Sequence, residues 1–258
     1  MPSSDARGAA RRPQRADARR NVAAILDAAT DCLARDPEMS IAGIAAAAGV
    51  GRITLYGHFS TRAELVDAVV ARTIERADAI LDAATDCLAR DPEMSIAEIA
   101  AAAGVGRITL YGHFKTRAEL VDAVLARTIE HSDAILSATD TGGDPADALA
   151  RLVGASWHLV HEFSNIMLAA HRELPAERIR GVHDPILRRV HSLIERGQRA
   201  GTFRRDLPRQ WLVTTTFSLM HAAAQDAAAG RIKPGEAAGL ITATLQAAFT
   251  PPGDDRNA

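Results

Sequence analysis

Apolar residues recur at helical spacing along most of the chain. Val22, Ile25, Leu26, Ala29 and Leu33 share one stripe and predict a helix over 21–34, which Asp36-Pro37 ends. Ser40 then stands as an N-cap before a short helix over 41–48, and Gly49 follows as a C-terminal stop. After the tight Ala48-Gly49-Val50-Gly51 turn comes a third helix, over about 52–59. Thr61-Arg62-Ala63-Glu64 forms a capping box that opens a long helix with Leu65, Val66, Val69 and Ile74 on one stripe. Two short helices joined by a glycine-containing turn carry a helix-turn-helix signature, although an ordinary helix pair with a polar face shows the same pattern.

The same pattern then repeats. Shifted by 55 residues, positions 25–81 align with 80–136, and 52 of the 57 pairs are identical. The differences are Gly43/Glu98, Ser60/Lys115, Val70/Leu125, Arg76/His131 and Ala77/Ser132. A solenoid needs at least three units to bury a continuous core, so two copies indicate a duplicated small domain. Between Thr61 and Arg90 there is neither glycine nor proline, so the last helix of copy one is expected to run into the first of copy two as a rod.

Beyond the turn-rich Asp140-Thr141-Gly142-Gly143-Asp144-Pro145 linker the apolar stripes lengthen. One helix is expected over 146–173. One or two follow over 176–199, with Gly181 to Pro185 as the place for a break, and two more over 209–229 and 234–249. The expected organisation is a basic, disordered arm at 1–20, copy one at 21–79, copy two at 80–136, a linker at 137–145, a helical domain at 146–250 and a disordered tail at 251–258. The fold class is all-α.

Composition narrows the function classes. With 47% hydrophobic and 24% charged residues and a net charge of −2, the chain is of the globular type. Its longest apolar runs, such as 44–50, fall far short of the roughly 18 residues of a membrane span. The N-terminal Arg7, Arg11, Arg12, Arg15, Arg19 and Arg20 precede no apolar core, so a cytoplasmic chain without a secretory signal is expected. The arm either lies along a minor groove or is a solvated tail. Cys32 and Cys87 occupy equivalent places in the repeat and read as small buried side chains.

Residues 1–136 hold 16 Lys and Arg against 19 Asp and Glu, so total charge gives no sign of nucleic acid. The distribution does. From 44 to 63 and from 99 to 118 there is no acid at all, while Arg52, His58 and Arg62, and Arg107, His113, Lys115 and Arg117, are present. A helix seated in the major groove must face phosphates without carboxylates, and an acid-free segment centred on the second short helix meets that need.

The string Ser95-Ile96-Ala97-Glu98-Ile99, continuing through Gly104-Val105-Gly106-Arg107-Ile108-Thr109-Leu110-Tyr111-Gly112-His113-Phe114-Lys115-Thr116-Arg117, resembles the DNA-binding domain of TetR-type transcriptional regulators, and Ser40 to Leu65 repeats it. The resemblance implies an all-α homodimer that binds a palindromic double-stranded DNA operator and releases it when a small-molecule effector enters a C-terminal domain. It implies a repressor, no cofactor and no catalytic activity. It places Arg107 and Thr109 in the groove, with Gly106 allowing close backbone approach, and Tyr111, His113 and Lys115 on phosphates. Thr116 would cap the next helix and Arg117 would add charge there. The matching set in copy one is Arg52, Thr54, Tyr56, His58, Thr61 and Arg62. Ile108, Leu110 and Phe114 are assigned to the core, and His113 also fits a surface or capping place.

A usual member has one such domain, and these copies are not equivalent. Gly43 in place of Glu98 removes a capping box and lowers helix propensity by about 1 kcal/mol. Ser60 in place of Lys115 removes one phosphate-pairing charge. Copy two is therefore the expected reader, with copy one an appendage. A helix-turn-helix protein that has lost DNA binding and docks another protein is the alternative.

For the C-terminal half the resemblance implies a dimer interface within 209–249, where Thr214, Thr215, Ala222, Ala223, Ala224, Ala237, Ala238 and Ala243 are small enough for close helix approach. Packing within one chain would use the same composition. Trp157, His161, Asn165, Met167, His171 and His221 interrupt apolar faces and are the candidate effector contacts, Trp157 and Met167 also fitting plain core. His158 and His161 stand at i and i+3 without a third metal ligand at a convincing spacing, so no metal is assigned. No glycine-rich phosphate loop, nucleophile elbow or His-Glu-x-x-His occurs, which leaves an enzyme reading unsupported.

Overall fold

The computed structural model describes residues 6–252, with side chains from Arg20 onward. The described residues form twelve helices and no strand. They are α1 (Ala6–Arg35), α2 (Ile41–Ala47), α3 (Arg52–His58), α4 (Arg62–Arg90), α5 (Ile96–Ala102), α6 (Arg107–His113), α7 (Arg117–Ser137), α8 (Pro145–Glu162), α9 (Ser164–Glu173), α10 (Ala176–Ala200), α11 (Arg209–Ala228) and α12 (Pro234–Phe249). No helix among the described residues is long and apolar enough to cross a membrane.

The chain divides into two compact units, one ending at Asp78 and the other beginning at Ala79, with the boundary inside the uninterrupted α4. In the first unit Ile25, Ile44, Leu55 and Leu65 are fully buried and form the core of copy one. In the second, the equivalent Ile80, Ile99, Leu110 and Leu120 are fully buried, and the same core also takes in Ile166, Ala169 and Ala170 of α9 and Ile179 of α10. Copy two thus completes its core with the C-terminal helices. A further core joins α8, α10, α11 and α12 around Leu149, Ile194, Phe203, Ile241 and Phe249.

Several boundaries depart from the sequence expectation. Part of the stretch expected as a disordered arm is helical, because α1 already starts at Ala6; residues 1–5 lie outside the described part, as do 253–258 of the expected tail. The helix expected over 146–173 is two, broken at Phe163 (φ −99°, ψ 15°). No glycine or proline marks this break. Ser164 Oγ donates to the His161 carbonyl at 2.9 Å, satisfying an acceptor at the end of α8, while Phe163 packs against both cores of this unit. Conversely, α10 runs through Pro185 without ending, although the proline leaves the Gly181 carbonyl without its i+4 donor. Gly201, at φ 80°, ends that helix in the left-handed conformation that glycine adopts without cost.

The two copies differ locally as their substitutions require. In copy two Ser95 Oγ accepts from the Glu98 N–H, and the Glu98 carboxylate accepts from the Ser95 N–H at 2.9 Å, closing the capping box. In copy one Ser40 Oγ accepts from Gly43 N–H at 3.1 Å, and glycine has nothing to return. The Ser95 hydroxyl and amide, both bonded to Glu98, hold its carboxyl below the usual carboxylate range.

Candidate DNA-reading helices and ligand cavity

The segment α5–turn–α6 is the second helix-turn-helix. Gly104, at φ 67°, makes the turn, and Val105 N–H donates back to the Ala100 carbonyl at 3.0 Å. Leu110 anchors α6 from its inner side, fully buried, while Phe114 is half-buried beneath its end. The outer side carries exposed Arg107, half-exposed Tyr111 and, at its edge, Thr109 and His113 in intermediate positions. A Cβ on Gly106 would meet only Thr109 Oγ1, at 3.9 Å, and its φ of −71° suits any residue. No internal packing calls for glycine there.

Ile108 overturns its core assignment: it is 90% exposed, as Ile53 is 91% exposed in copy one. A β-branched side chain left almost bare between Arg107 and Thr109 contributes nothing to the core. Sequence reasoning missed it because it treated the residue type as decisive. The helical positions give the signal, since Leu110 already points inward and Ile108, two residues earlier, is turned away by about 200°.

Beyond α6, Lys115 is exposed and Thr116 Oγ1 accepts from the Glu119 N–H at 3.1 Å, capping α7 as expected from its sequence. Glu119 Oε2 accepts from the backbone N–H of Lys115 at 2.7 Å, so that amide is already satisfied within the protein. Arg117 is a correction. Its guanidinium does not stand free beside the helix end: Nε donates to Glu173 at 2.9 Å, Nη1 to the Met94 carbonyl at 2.5 Å and Nη2 to the Pro92 carbonyl at 2.7 Å. In copy one, Arg52 and His58 are exposed, Tyr56 is half-exposed, Thr54 is intermediate and Thr61 caps α4 by accepting from Glu64 N–H at 3.1 Å. Arg62 donates to the Pro37 carbonyl, the place Pro92 holds in copy two.

The second unit holds a partly open cavity of about 620 Å³ between α7, α8, α9, α10 and α11. Of the expected effector contacts, Asn165, Met167, His171 and His221 line it. Trp157 and His161 do not, and this corrects their assignment. Trp157 is buried against α12, its indole N–H donating to the Pro234 carbonyl at 2.8 Å, and His161 stacks on it with ring centroids 5.6 Å apart. Asn165 also has a structural bond, its Nδ2 donating to the Ala89 carbonyl at 2.8 Å. His183 was missed by the sequence; it lines the cavity, 5% exposed, edge-on to Phe217 at 5.3 Å. Burial pushes the His183 and His221 imidazoles below the usual histidine range.

Copy two enters this cavity directly. Leu125, Thr128, Ile129, Ser132 and Leu136 of α7 form one wall. Leu125 and Ser132 are two of the five positions at which the copies diverged; their counterparts are Val70, half-exposed, and Ala77. The divergence was the available sequence signal for the wall. On the outer side, Arg178 pairs with Asp122 at 2.6 Å, Arg189 with Asp133 at 2.9 Å and Arg172 with Glu93 at 2.5 Å, each joining copy two to α9 or α10.

Similarity to known proteins follows the same outline. The profile described as "Bacterial regulatory proteins, tetR family" matches residues 25–69 and again 80–124. The HTH-type transcriptional repressor LfrR of Mycolicibacterium smegmatis is 32% identical over 149 residues, which cover 56% of this chain and 75% of that protein. Its solved structure in complex with proflavine superimposes with a TM-score of 0.52 at 25% identity, covering 67% of this chain and 96% of that one. A TetR-family regulator from Rhodococcus sp. gives a TM-score of 0.57 at 23% identity, covering 68% of this chain and 99% of that one.

Proposed function

From the premise that this chain belongs to the TetR family of bacterial transcriptional regulators, we propose that it is a repressor read out by copy two and released by a small molecule in the α7–α11 cavity. The carrying observation is the course of α7. Its first turn follows the recognition helix α6, its middle lines the cavity, and its two ends are tied by Arg117 and Asp133 to α9 and α10. An occupant that pushes on Leu125, Ile129 or Ser132 therefore moves the element that positions α6. Arg107, Ile108 and Thr109 face the groove, and Tyr111, His113 and Lys115 face phosphates. The LfrR–proflavine complex supports a small-molecule partner for the equivalent domain.

Copy one keeps Arg52, Thr54, Tyr56 and His58 but lacks the capping box and the Lys115 charge, so it serves as a weaker, sequence-tolerant contact. Dimerisation uses the outer face of α11 and α12. Ala223, Ala224 and Ala237 do not serve there, because they are buried in the chain's own core. Exposed residues there include Trp211 and Thr214 on α11 with Leu240, Ala243 and Ala247 on α12, a stripe that holds two large apolar side chains and ends at the exposed Glu236.

Titrating the purified protein onto the DNA that flanks its own gene, at several salt concentrations, tests this reading. Binding through several phosphates weakens steeply as salt rises. A complex with DNA that is insensitive to salt, or none on any flanking sequence, contradicts it.

A further inference from the structure

Among the described residues, no Asp, Glu, Lys or Arg lines the α7–α11 cavity. Its ionisable groups are His171 on α9, His183 on α10 and His221 on α11, while α7 and α8 present hydroxyls, such as Thr128, Ser132 and Ser156, and no titratable group. All three imidazoles are fixed in one way. Nδ1 lies 2.8 Å from the Met167 carbonyl in His171, 2.7 Å from Ile179 in His183 and 2.9 Å from Phe217 in His221. A carbonyl only accepts, so Nδ1 carries the proton and Nε2 of each neutral ring is left with its lone pair. The His183 and His221 rings stand 6.2 Å apart, and Phe217 touches both, at 5.3 Å and 4.1 Å. Burial above all, with repulsion from neighbouring imidazoles, keeps His183 and His221 uncharged at neutral pH.

Such walls discriminate by charge. A cationic occupant would lose its hydration and find no carboxylate in exchange. A permanently neutral alcohol could donate to one Nε2 and fill the apolar remainder. A weak acid gains more: its O–H bond breaks, the proton forms an N–H bond at Nε2, and the oxyanion stays against the imidazolium it has created. The pair remains neutral overall while both hydrogen-bonding groups become charged, the stronger arrangement.

We propose that the effector is an apolar carboxylic acid, held by its acidic oxygen at the Nε2 edge formed by His183 and His221, with His171 beside it. The proposal rests on the cavity being the effector site. Such an acid arrives ionised at neutral pH and is bound with its proton restored on imidazole, so binding takes up close to one proton and tightens by up to about tenfold per pH unit as pH falls.

Calorimetry of the full chain with decanoic acid, 1-decanol and decyltrimethylammonium, at pH 7.5 and 6.5 in buffers of different ionisation enthalpy, tests the proposal. The expected result is decanoic acid binding at least about tenfold more tightly than decyltrimethylammonium, with proton uptake; the His183→Gln, His221→Gln double variant should lose the uptake and still bind 1-decanol. A cation that binds as tightly as the acid, acid binding without proton uptake, or no binding of any of the three overturns it. Operator release, followed in parallel, separates the two readings. Acid binding with proton uptake but no release overturns the effector site and leaves the ligand class standing. Release by the cation alone does the reverse.

Discussion

Arg117 Nε donates to Glu173 Oε1 at 2.9 Å, fixing the first turn of α7 to the last residue of α9. The same guanidinium reaches the carbonyls of Pro92 and Met94, so one side chain joins the loop before α5, the start of α7 and a helix of the ligand cavity. Both partners of the ion pair are largely shielded from solvent, with side-chain exposures of 24% and 30%. Glu173→Gln keeps the shape and removes the charge, and should lower stability by about 1 kcal/mol in urea unfolding. Arg117→Lys should cost more, since a single ammonium cannot reach three acceptors in that fan. Equal stability of both variants with the parent would show that the fan does not hold α7.

Gly197 lies in α10 where a Cβ would come within 2.0 Å of Cδ2 of Phe203. Phe203 is 2% exposed and packs edge-on against Phe249 at 5.8 Å, so its ring has nowhere to move. Alanine is the better helix former by about 1 kcal/mol, yet overpacking of this kind costs about 1–3 kcal/mol. Gly197→Ala should therefore lower the thermal midpoint despite its gain in propensity; an unchanged or raised midpoint would mean the ring relaxes freely.

Burial sets the folded-state pKa of His183 and His221 below the usual histidine value of 6.5. A base depressed in the folded state favours folding fully above its unfolded pKa and loses that stability as pH falls through the window down to its folded pKa. The ligand-free protein should lose stability as pH falls below about 6.5, and replacing both residues by Gln should flatten that part of the profile. A profile that is identical for parent and double variant would place the acid sensitivity elsewhere.

Ile108 is 90% exposed and serves no core, and in the proposed reading it offers an apolar surface to the major groove. The C5-methyl of thymine is the apolar group that a base edge presents there. Ile108→Ala should leave the thermal midpoint within experimental error and weaken binding to the operator by about 1 kcal/mol, several-fold, without changing binding to a scrambled duplex. Equal losses on both duplexes would assign Ile108 to general contact instead.

The duplication, both helix-turn-helix units and the helical character of the remainder were legible in the sequence, because caps, glycines and apolar stripes are local signals. Phe163 shows what was not legible. Its break has no glycine or proline and arises from packing between two cores that the sequence lists only as separate stripes. The cavity was half legible for a similar reason: Asn165, Met167, His171 and His221 interrupt apolar faces, but so do Trp157 and His161, which turn toward α12 and each other. Helical periodicity gives the face of a residue, not the helix it meets. The repeat held a clue that was not used, since Leu125 and Ser132 differ from Val70 and Ala77 where α7 became a cavity wall.

The most direct test of copy two as the reader is a quantitative footprint of the full chain on the DNA flanking its own gene, comparing Arg107→Ala with Arg52→Ala. Loss of a groove-facing arginine costs about 1–3 kcal/mol, or from several-fold to more than a hundredfold in affinity. Arg107→Ala should weaken protection by that amount, and Arg52→Ala should leave the protected core unchanged at the same protein concentration. Equal losses from the two substitutions, or a larger one from Arg52→Ala, would contradict the assignment.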